Sequence, residues 1–261
     1  MTKQNKRFFI DVDYLTEPGI GNSTAGSKFI SHVPEDKSRV VSVLAEGEGC
    51  GVRPAVTASL TATMALRLVE QGIGLEQIAE LILHSPETTF IEELDCPSFT
   101  VLEVNSNGRV EILEFGHPPV HLYRRGDDFR INREPVSLFD DMDKTVYRSS
   151  VVCESGDRIM LFTESFTERF GGLENVNATM KKLLREDIGL SSRDLIRNAY
   201  EASFELTELQ AAGVSRRCFT AASLFLRKPR KLLVATGAPF DKEKDPFLAK
   251  RTAAFEGKKA I

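Results

Sequence analysis

The sequence predicts an α+β fold built as a layered sandwich, and three observations carry that reading. Short runs rich in β-branched and aromatic residues recur along most of the chain, several joined by tight-turn signals, which favours antiparallel pairing. Two helical patterns interrupt the strands early and two more come late, so helices and strands are grouped and do not strictly alternate. The 261 residues carry 41% hydrophobic and 28% charged side chains, an ordinary balance for one large globular domain or one domain with an appendage.

Phe8 to Tyr14 and Lys28 to Val33 read as strands, separated by a Gly/Ser/Thr-rich turn from Gly19 to Gly26. Arg39 to Leu44 is a third strand. Val56 to Glu70 sets Val56, Leu60, Met64 and Leu68 at helical spacing, an apolar row that needs a sheet to cover it, and Gly72 marks its stop. Leu75 to Leu83 is a second helix with Ile78, Leu81 and Ile82 on one face. From Ser98 to Leu113 the period changes to two, with Asn107-Gly108 as a tight hairpin turn. Val120 to Ile131 is another hairpin, turning at Gly126-Asp-Asp128, and Arg158 to Phe162 is a buried strand. Asn175 to Leu184 and Ser192 to Leu206 are helices, the second opened by the capping-like Ser191-Ser-Arg-Asp194. Phe219 to Leu226 and Leu232 to Thr236 close the pattern as strands.

Charge and segment patterns exclude several classes. The formal net charge of −4 offers no footprint for nucleic acid, and the basic Arg227-Lys-Pro-Arg-Lys231 and Lys258-Lys259 read as solvated loop. No apolar stretch reaches the ~18 residues of a membrane span. Met1 to Arg7 has basic residues without the apolar core of a signal peptide. The expectation is a cytoplasmic protein with neither a nucleic-acid nor a membrane partner. Cys50, Cys96, Cys153 and Cys218 are scattered without paired metal spacing, which predicts reduced thiols.

The stretch richest in chemistry is Ser42-Val-Leu-Ala-Glu-Gly-Glu-Gly-Cys-Gly-Val-Arg-Pro-Ala-Val56, a strand ending in an acid inside a glycine-rich turn, with a helix straight after. Gly156-Asp-Arg-Ile-Met-Leu-Phe-Thr-Glu-Ser165 repeats the idea. Glu46 and Glu164, held at two strand ends, could therefore meet across a sandwich. Glycines at such junctions also serve conformation alone.

Taken in order, Glu46-Gly-Glu-Gly-Cys-Gly51, Ser98-Phe-Thr100, Gly116-His-Pro-Pro119 and Gly156-Asp-Arg-Ile-Met-Leu-Phe-Thr163 resemble the motifs of metal-dependent protein phosphatases. The similarity is greatest to the bacterial branch typified by stage II sporulation protein E, related to protein phosphatase 2C, and runs from about Phe8 to Leu226. The resemblance implies a four-layer αββα sandwich of two antiparallel sheets flanked by helix pairs over residues 1–226. Residues 227–261 then form a C-terminal extension, one that resembles an extension in a subset of these phosphatases and stops without a clear closing element. It also implies two Mn²⁺ or Mg²⁺ ions held by aspartates, with a metal-bridging water as nucleophile.

At each aspartate position the chain departs from that pattern. The positions fall on Ser27 after Gly26, on Glu46 before Gly47, on Glu164 before Ser165, and on Arg217-Cys218. Glutamate keeps the carboxylate but moves its oxygens by ~1.5 Å, large beside Mg²⁺–oxygen distances of ~2.0–2.1 Å. Ser27 offers a neutral oxygen, and Arg217 puts a permanent positive charge where a dication would sit. The expected consequence is a lost or weakened metal centre, with no cofactor bound, and an ion pair from Arg217 to Glu46 or Glu164 in its place.

Three functions follow as competing readings. The first is a serine/threonine phosphatase-fold protein of bacterial signalling that is catalytically impaired and binds a phosphoprotein or regulatory partner, with a homodimer left open. The second is an active phosphatase whose metal ligands are Glu46 and Glu164, completed by Asp11 or Asp13. The third holds an anion or peptide on Arg216 and Arg217. His117 in Gly-His-Pro-Pro reads as architectural, Asp140-Asp-Met-Asp143 as an exposed loop, and Cys50 as a buried spectator thiol. Ser23 and Thr24 resemble a phosphate cradle only loosely, with no lysine at the required spacing.

Overall fold

The computed structural model describes residues 8–19, 21–84, 97–136, 145–207 and 218–228. Cys96, the Asp140–Asp143 loop, Arg216, Arg217 and the strand expected at Leu232 to Thr236 lie outside the described residues. The chain divides into two compact units, Met1–Pro229 and Arg230–Ile261, and the first holds every described element.

The strands are β1 (Phe9–Glu17), β2 (Ser27–His32), β3 (Arg39–Glu46), β4 (Ser98–Asn105), β5 (Arg109–Phe115), β6 (His121–Arg124), β7 (Asp127–Phe129), β8 (Glu134–Pro135), β9 (Val146–Val152), β10 (Arg158–Phe162) and β11 (Phe219–Arg227). The helices are α1 (Val52–Glu70), α2 (Leu75–Leu83), α3 (Glu164–Arg169), α4 (Leu173–Glu186) and α5 (Ser192–Thr207). One sheet has the order β1-β11-β10-β6-β7, the other β2-β3-β4-β5-β9-β8, and all the pairings are antiparallel.

Strand alternation sorts the apolar residues into three cores. Between the sheets lie Val40 and Leu44 of β3, Leu102 and Val104 of β4, Ile159 and Leu161 of β10, and Ala222, Leu224 and Leu226 of β11. The opposite side of β3 and β4 sends Val41, Val43, Phe99 and Val101 against α1 and α2. The opposite side of β10 and β11 sends Met160, Phe162, Phe219 and Ala221 against α3, α4 and α5. Helix layer, sheet, sheet and helix layer therefore follow one another, the αββα sandwich expected, with α1 and α5 on opposite outer faces.

Helix α1 reaches its sheet by a different face from the one expected. Val56 and Leu60 are more than half exposed, while the buried stripe is Pro54, Ala58, Thr61, Ala62, Ala65 and Val69. Short alanine side chains let the helix backbone lie close to β2 and β3, and Met64 and Leu68 flank the contact. In α2, Ile78 and Ile82 are buried as expected, but Ala79 and Leu83 complete the face and Leu81 points outward.

Turn chemistry explains the hairpins. Gly108 has φ 94 between β4 and β5, and a Cβ there would sit 2.7 Å from the Cys153 carbonyl oxygen. The β6–β7 turn falls on Arg125 and Gly126, at φ 55 and 83, one residue earlier than expected, since a two-residue loop with both φ positive matches the twist of the strands. Arg124 clamps that hairpin to the β9–β10 turn through Asp157, Nη2 to Oδ2 2.7 Å, while Asp157 also accepts the Glu154 N–H. Ser191 caps α5 as its sequence suggests, its Oγ accepting the Asp194 N–H at 3.1 Å.

Ala62→Leu forces three extra heavy atoms into the closed α1–sheet contact and is expected to cost about 1–3 kcal/mol. Leu60→Ala removes an exposed side chain and should change stability by less than about 0.5 kcal/mol. Urea unfolding of the two variants checks the assignment of faces; the reverse ranking would restore the Val56–Leu60 row as the buried one.

Candidate functional site

Glu46 is the last residue of β3, opposite Ser27 of β2 on one side and Ser98 of β4 on the other. The turn that follows is tight for a steric reason. A Cβ on Gly47 would lie 2.7 Å from both Cα and O of Pro54 in the first turn of α1, and a Cβ on Gly26 would collide with the Gly49 carbonyl oxygen. Glycine at both positions lets the β2 start, the β3 end and the α1 start share one corner, tied by Gly47 N–H to Gly26 O at 2.9 Å.

The Glu46 carboxylate points across to the other sheet's helix layer. Thr163 sits at the N-cap of α3, but its hydroxyl donates to Thr220 O at 3.2 Å and accepts the Thr220 N–H at 3.0 Å, so it does not cap its own helix. Glu46 takes that place: Oε2 accepts the Glu164 N–H at 3.3 Å and Oε1 lies 3.5 Å from the Ser165 hydroxyl. His117, almost wholly buried, brings Nε2 to 3.6 Å from Glu46 Oε2 while its Nδ1 shares a 3.0 Å hydrogen bond with Thr100. Burial pushes the Glu46 carboxyl up to about 7; the Glu164 N–H pulls it down, and the charges of Glu164 and Glu168 push it further up.

Beside Glu46 the two sheets are joined by hydroxyls. Ser27 Oγ and Thr220 Oγ1 are 2.7 Å apart, and Thr220 Oγ1 is 2.8 Å from Thr16 Oγ1, which links β2 of one sheet to β11 and β1 of the other. Next to them Cys50 and Cys218 form a disulfide, in place of the reduced thiols expected and of a spectator role for Cys50. Spacing could not reveal this pair, because 168 residues separate cysteines that only the sandwich brings together. Cys153 is a free, buried thiol.

The sequence-derived site residues thus divide. Ser27, Glu46, Gly47 and the α3 N-terminus at Glu164 do converge, although the Glu164 side chain itself is exposed. His117, read as architectural within Gly-His-Pro-Pro, joins them. Asp11 and Asp13 do not. Strand alternation turns them to the helix side of β1, where Asp11 accepts from Ser192 N–H and Arg227, and Asp13 from Arg193 at 2.8 Å. Arg216 and Arg217, with the ion pair expected of Arg217, fall outside the described residues. Ser23 and Thr24 border a cavity of about 330 Å³ that Thr16, Ser27 and Lys28 also line.

The described groups do not by themselves supply the carboxylates of a two-metal centre. Among the described residues, no cluster of three or more His, Cys, Asp or Glu side chains is placed to hold a metal ion. Ser27 shares a hydrogen bond with Thr220, and Cys218 is bonded to Cys50.

Because the folded-state pKa of Glu46 lies above its unfolded value of 4.5, the folded protein binds the extra proton between the two values, and stability falls as pH rises through that window. Glu46→Gln carries no such proton. Relative to the unaltered protein, its unfolding free energy is expected to gain up to about 3 kcal/mol between pH 4.5 and pH 8. Urea titrations of both proteins across that range measure the gap; a gap constant with pH would show that Glu46 ionises normally.

The sequence matches the description of stage II sporulation protein E (SpoIIE) over residues 36–211. No curated protein sequence matches the chain. Among solved structures, the phosphatase domain of the cell fate determinant SpoIIE from Bacillus subtilis superposes with a TM-score of 0.60 at 13% identity, covering 90% of this chain and 99% of that one. The RsbU and RsbW domains of a Mycobacterium tuberculosis protein give 0.63 at 18% identity over 88% of this chain and 65% of theirs. RsbX in complex with magnesium gives 0.58 at 12% identity over 86% and 98%. At such identities the structural likeness is one of fold, and that fold is the phosphatase domain's. With the sequence match spanning more than half of its length, the chain belongs to the stage II sporulation protein E family.

Proposed function

We propose that this chain is a catalytically impaired phosphatase-fold protein of bacterial signalling, its phosphatase-like domain spanning residues 1–226, which acts in the cytoplasm by binding a regulatory or phosphoprotein partner. One observation carries the reading. Two positions where the family places metal carboxylates are already engaged: Ser27 bonds Thr220, and Glu46 caps α3 with its carboxyl pushed up by burial. A dication entering here would have to break the cap and accept a neutral hydroxyl already bonded, for the return of a single half-buried carboxylate. Among the described residues no helix is long and apolar enough to cross a membrane.

The active alternative draws on the closeness of Glu164 and Glu168, near enough to Glu46 to raise its pKa, so that carboxylates do gather at this corner. Two measurements separate the readings. Calorimetric titration with Mn²⁺ and Mg²⁺ is expected to show no binding, and p-nitrophenyl phosphate and phosphoserine peptides are expected to be hydrolysed no faster than in protein-free buffer with either ion. Turnover by the unaltered protein that Glu46→Ala abolishes would establish the enzyme instead.

A further inference from the structure

The Cys50–Cys218 disulfide sits where three backbone segments meet: the start of β2 at Gly26, the glycine turn after Glu46, and the residue leading into β11. We propose that it is an exchangeable disulfide, a thiol-modification site that clamps the corner holding Glu46 and opens to small dithiols without unfolding of the sandwich. The inference goes beyond the binding reading and stands whether or not the site is catalytic.

Three features give the bond this character. Access is one-sided. Cys50 is half-buried in a turn whose neighbours Glu48 and Gly49 are exposed, whereas Cys218 is 3% exposed. An incoming thiolate therefore meets the Cys50 sulfur, and Cys218 is the leaving group. Backbone N–H groups reach both sulfurs, Gly26 N–H at 3.3 Å from Cys218 Sγ and Cys218 N–H at 2.9 Å from Cys50 Sγ, so either can leave as a thiolate of lowered basicity and the difference in access is what selects Cys218. Opening the bond also leaves the sheets in place. The Ser27–Thr220–Thr16 hydroxyls and the apolar core between the sheets hold β2 against β11 independently of the sulfurs.

The exchange balances as follows. A dithiol thiolate attacks Cys50 Sγ, the Cys50–Cys218 bond breaks, and its electron pair leaves on Cys218. The dithiol's second thiol then attacks the mixed disulfide, expelling Cys50 as a thiolate and closing the dithiol into a cyclic disulfide. Two electrons pass from dithiol to protein, and the two protons the dithiol loses go to the cysteine sulfurs. A small-molecule disulfide such as oxidised glutathione runs the sequence backwards. The structural consequence is release of Gly47 to Gly51 from β11, at the corner where Glu46 meets α3.

The test uses the full chain in native buffer, with thiols trapped by iodoacetamide and tryptic peptides read by mass spectrometry. Peptides 40–67 and 218–227 are expected to be joined after treatment with oxidised glutathione and separated by millimolar dithiothreitol. Cys153 is the internal control, because burial pushes its thiol up to about 12 and it should react only on unfolding. Hydrogen exchange followed in parallel should rise about tenfold in peptides covering residues 47–53 on reduction, with β4 and β5 unchanged. Cys50→Ser and Cys218→Ser should each show the faster exchange and no further response to dithiothreitol. Failure of the two peptides to join under oxidised glutathione overturns the proposal. So does opening only where Cys153 also becomes reactive, or faster exchange spread over all strands.

Discussion

The structure rests on one constraint, that both sheets are covered on both faces. A strand at the centre of such a stack has no solvent side, so its residues must be apolar in both directions or find partners inside. β3 shows the consequence: Val40 and Leu44 face one way, Val41, Val43 and Ala45 the other. Its buried Ser42 is tolerated because Ser31 on the adjacent strand reaches it at 3.0 Å. The same holds for β11, where every residue from Phe219 to Phe225 is buried and the polar ones, Thr220 and Ser223, each have a hydroxyl partner.

Polar chemistry is therefore pushed to the edge of the stack, where strands end and turns begin. Glu46 stands at such an end. Its carboxylate is shared between its own sheet and the helix layer of the other, and this makes one residue both a cap for α3 and a link across the layers. A carboxylate in that position is poorly solvated and close to two further acids, and both effects push its pKa up towards neutral. Arg158 illustrates the opposite case on the outer face of β10. Its guanidinium is buried over the Phe225 ring at 3.7 Å, and burial lowers its pKa to about 10, yet the aromatic face and the Ile188 carbonyl keep the charge in place.

Much of this was legible in the sequence because the signals were local. Asn107-Gly108, the Ser191 cap and the glycine turn after Glu46 each specify backbone geometry within a few residues. Helix existence was legible in α1, but not its buried face. A row of large apolar residues normally marks the contact, and here the contact is made by alanines, which hydrophobic periodicity barely registers. β9 was missed because Val-Tyr-Arg-Ser-Ser-Val-Val lacks clean alternation, and α3 because six residues are too few to show a helical period. The site divides along the same line. Ser27, Glu46 and the α3 start could be placed from motif order, while His117, the Cys50–Cys218 pair and the orientation of Asp11 and Asp13 depend on which strands are neighbours.

Strand order has one more consequence. β11, the last described strand, lies between β1 and β10, pairing with Phe9 to Glu17 along its whole length. The sheet of β2, β3, β4, β5, β9 and β8, by contrast, is assembled from segments nearer to one another in sequence. During synthesis this second sheet and its helices can form while the first strand to emerge waits for the last, its one strand partner among the described residues. Its apolar inner side, Ile10 and Val12, stays uncovered throughout that interval. Such a chain folds late and as a whole, with high contact order, and a ribosome that stalls before Phe219 leaves a sandwich missing its central seam.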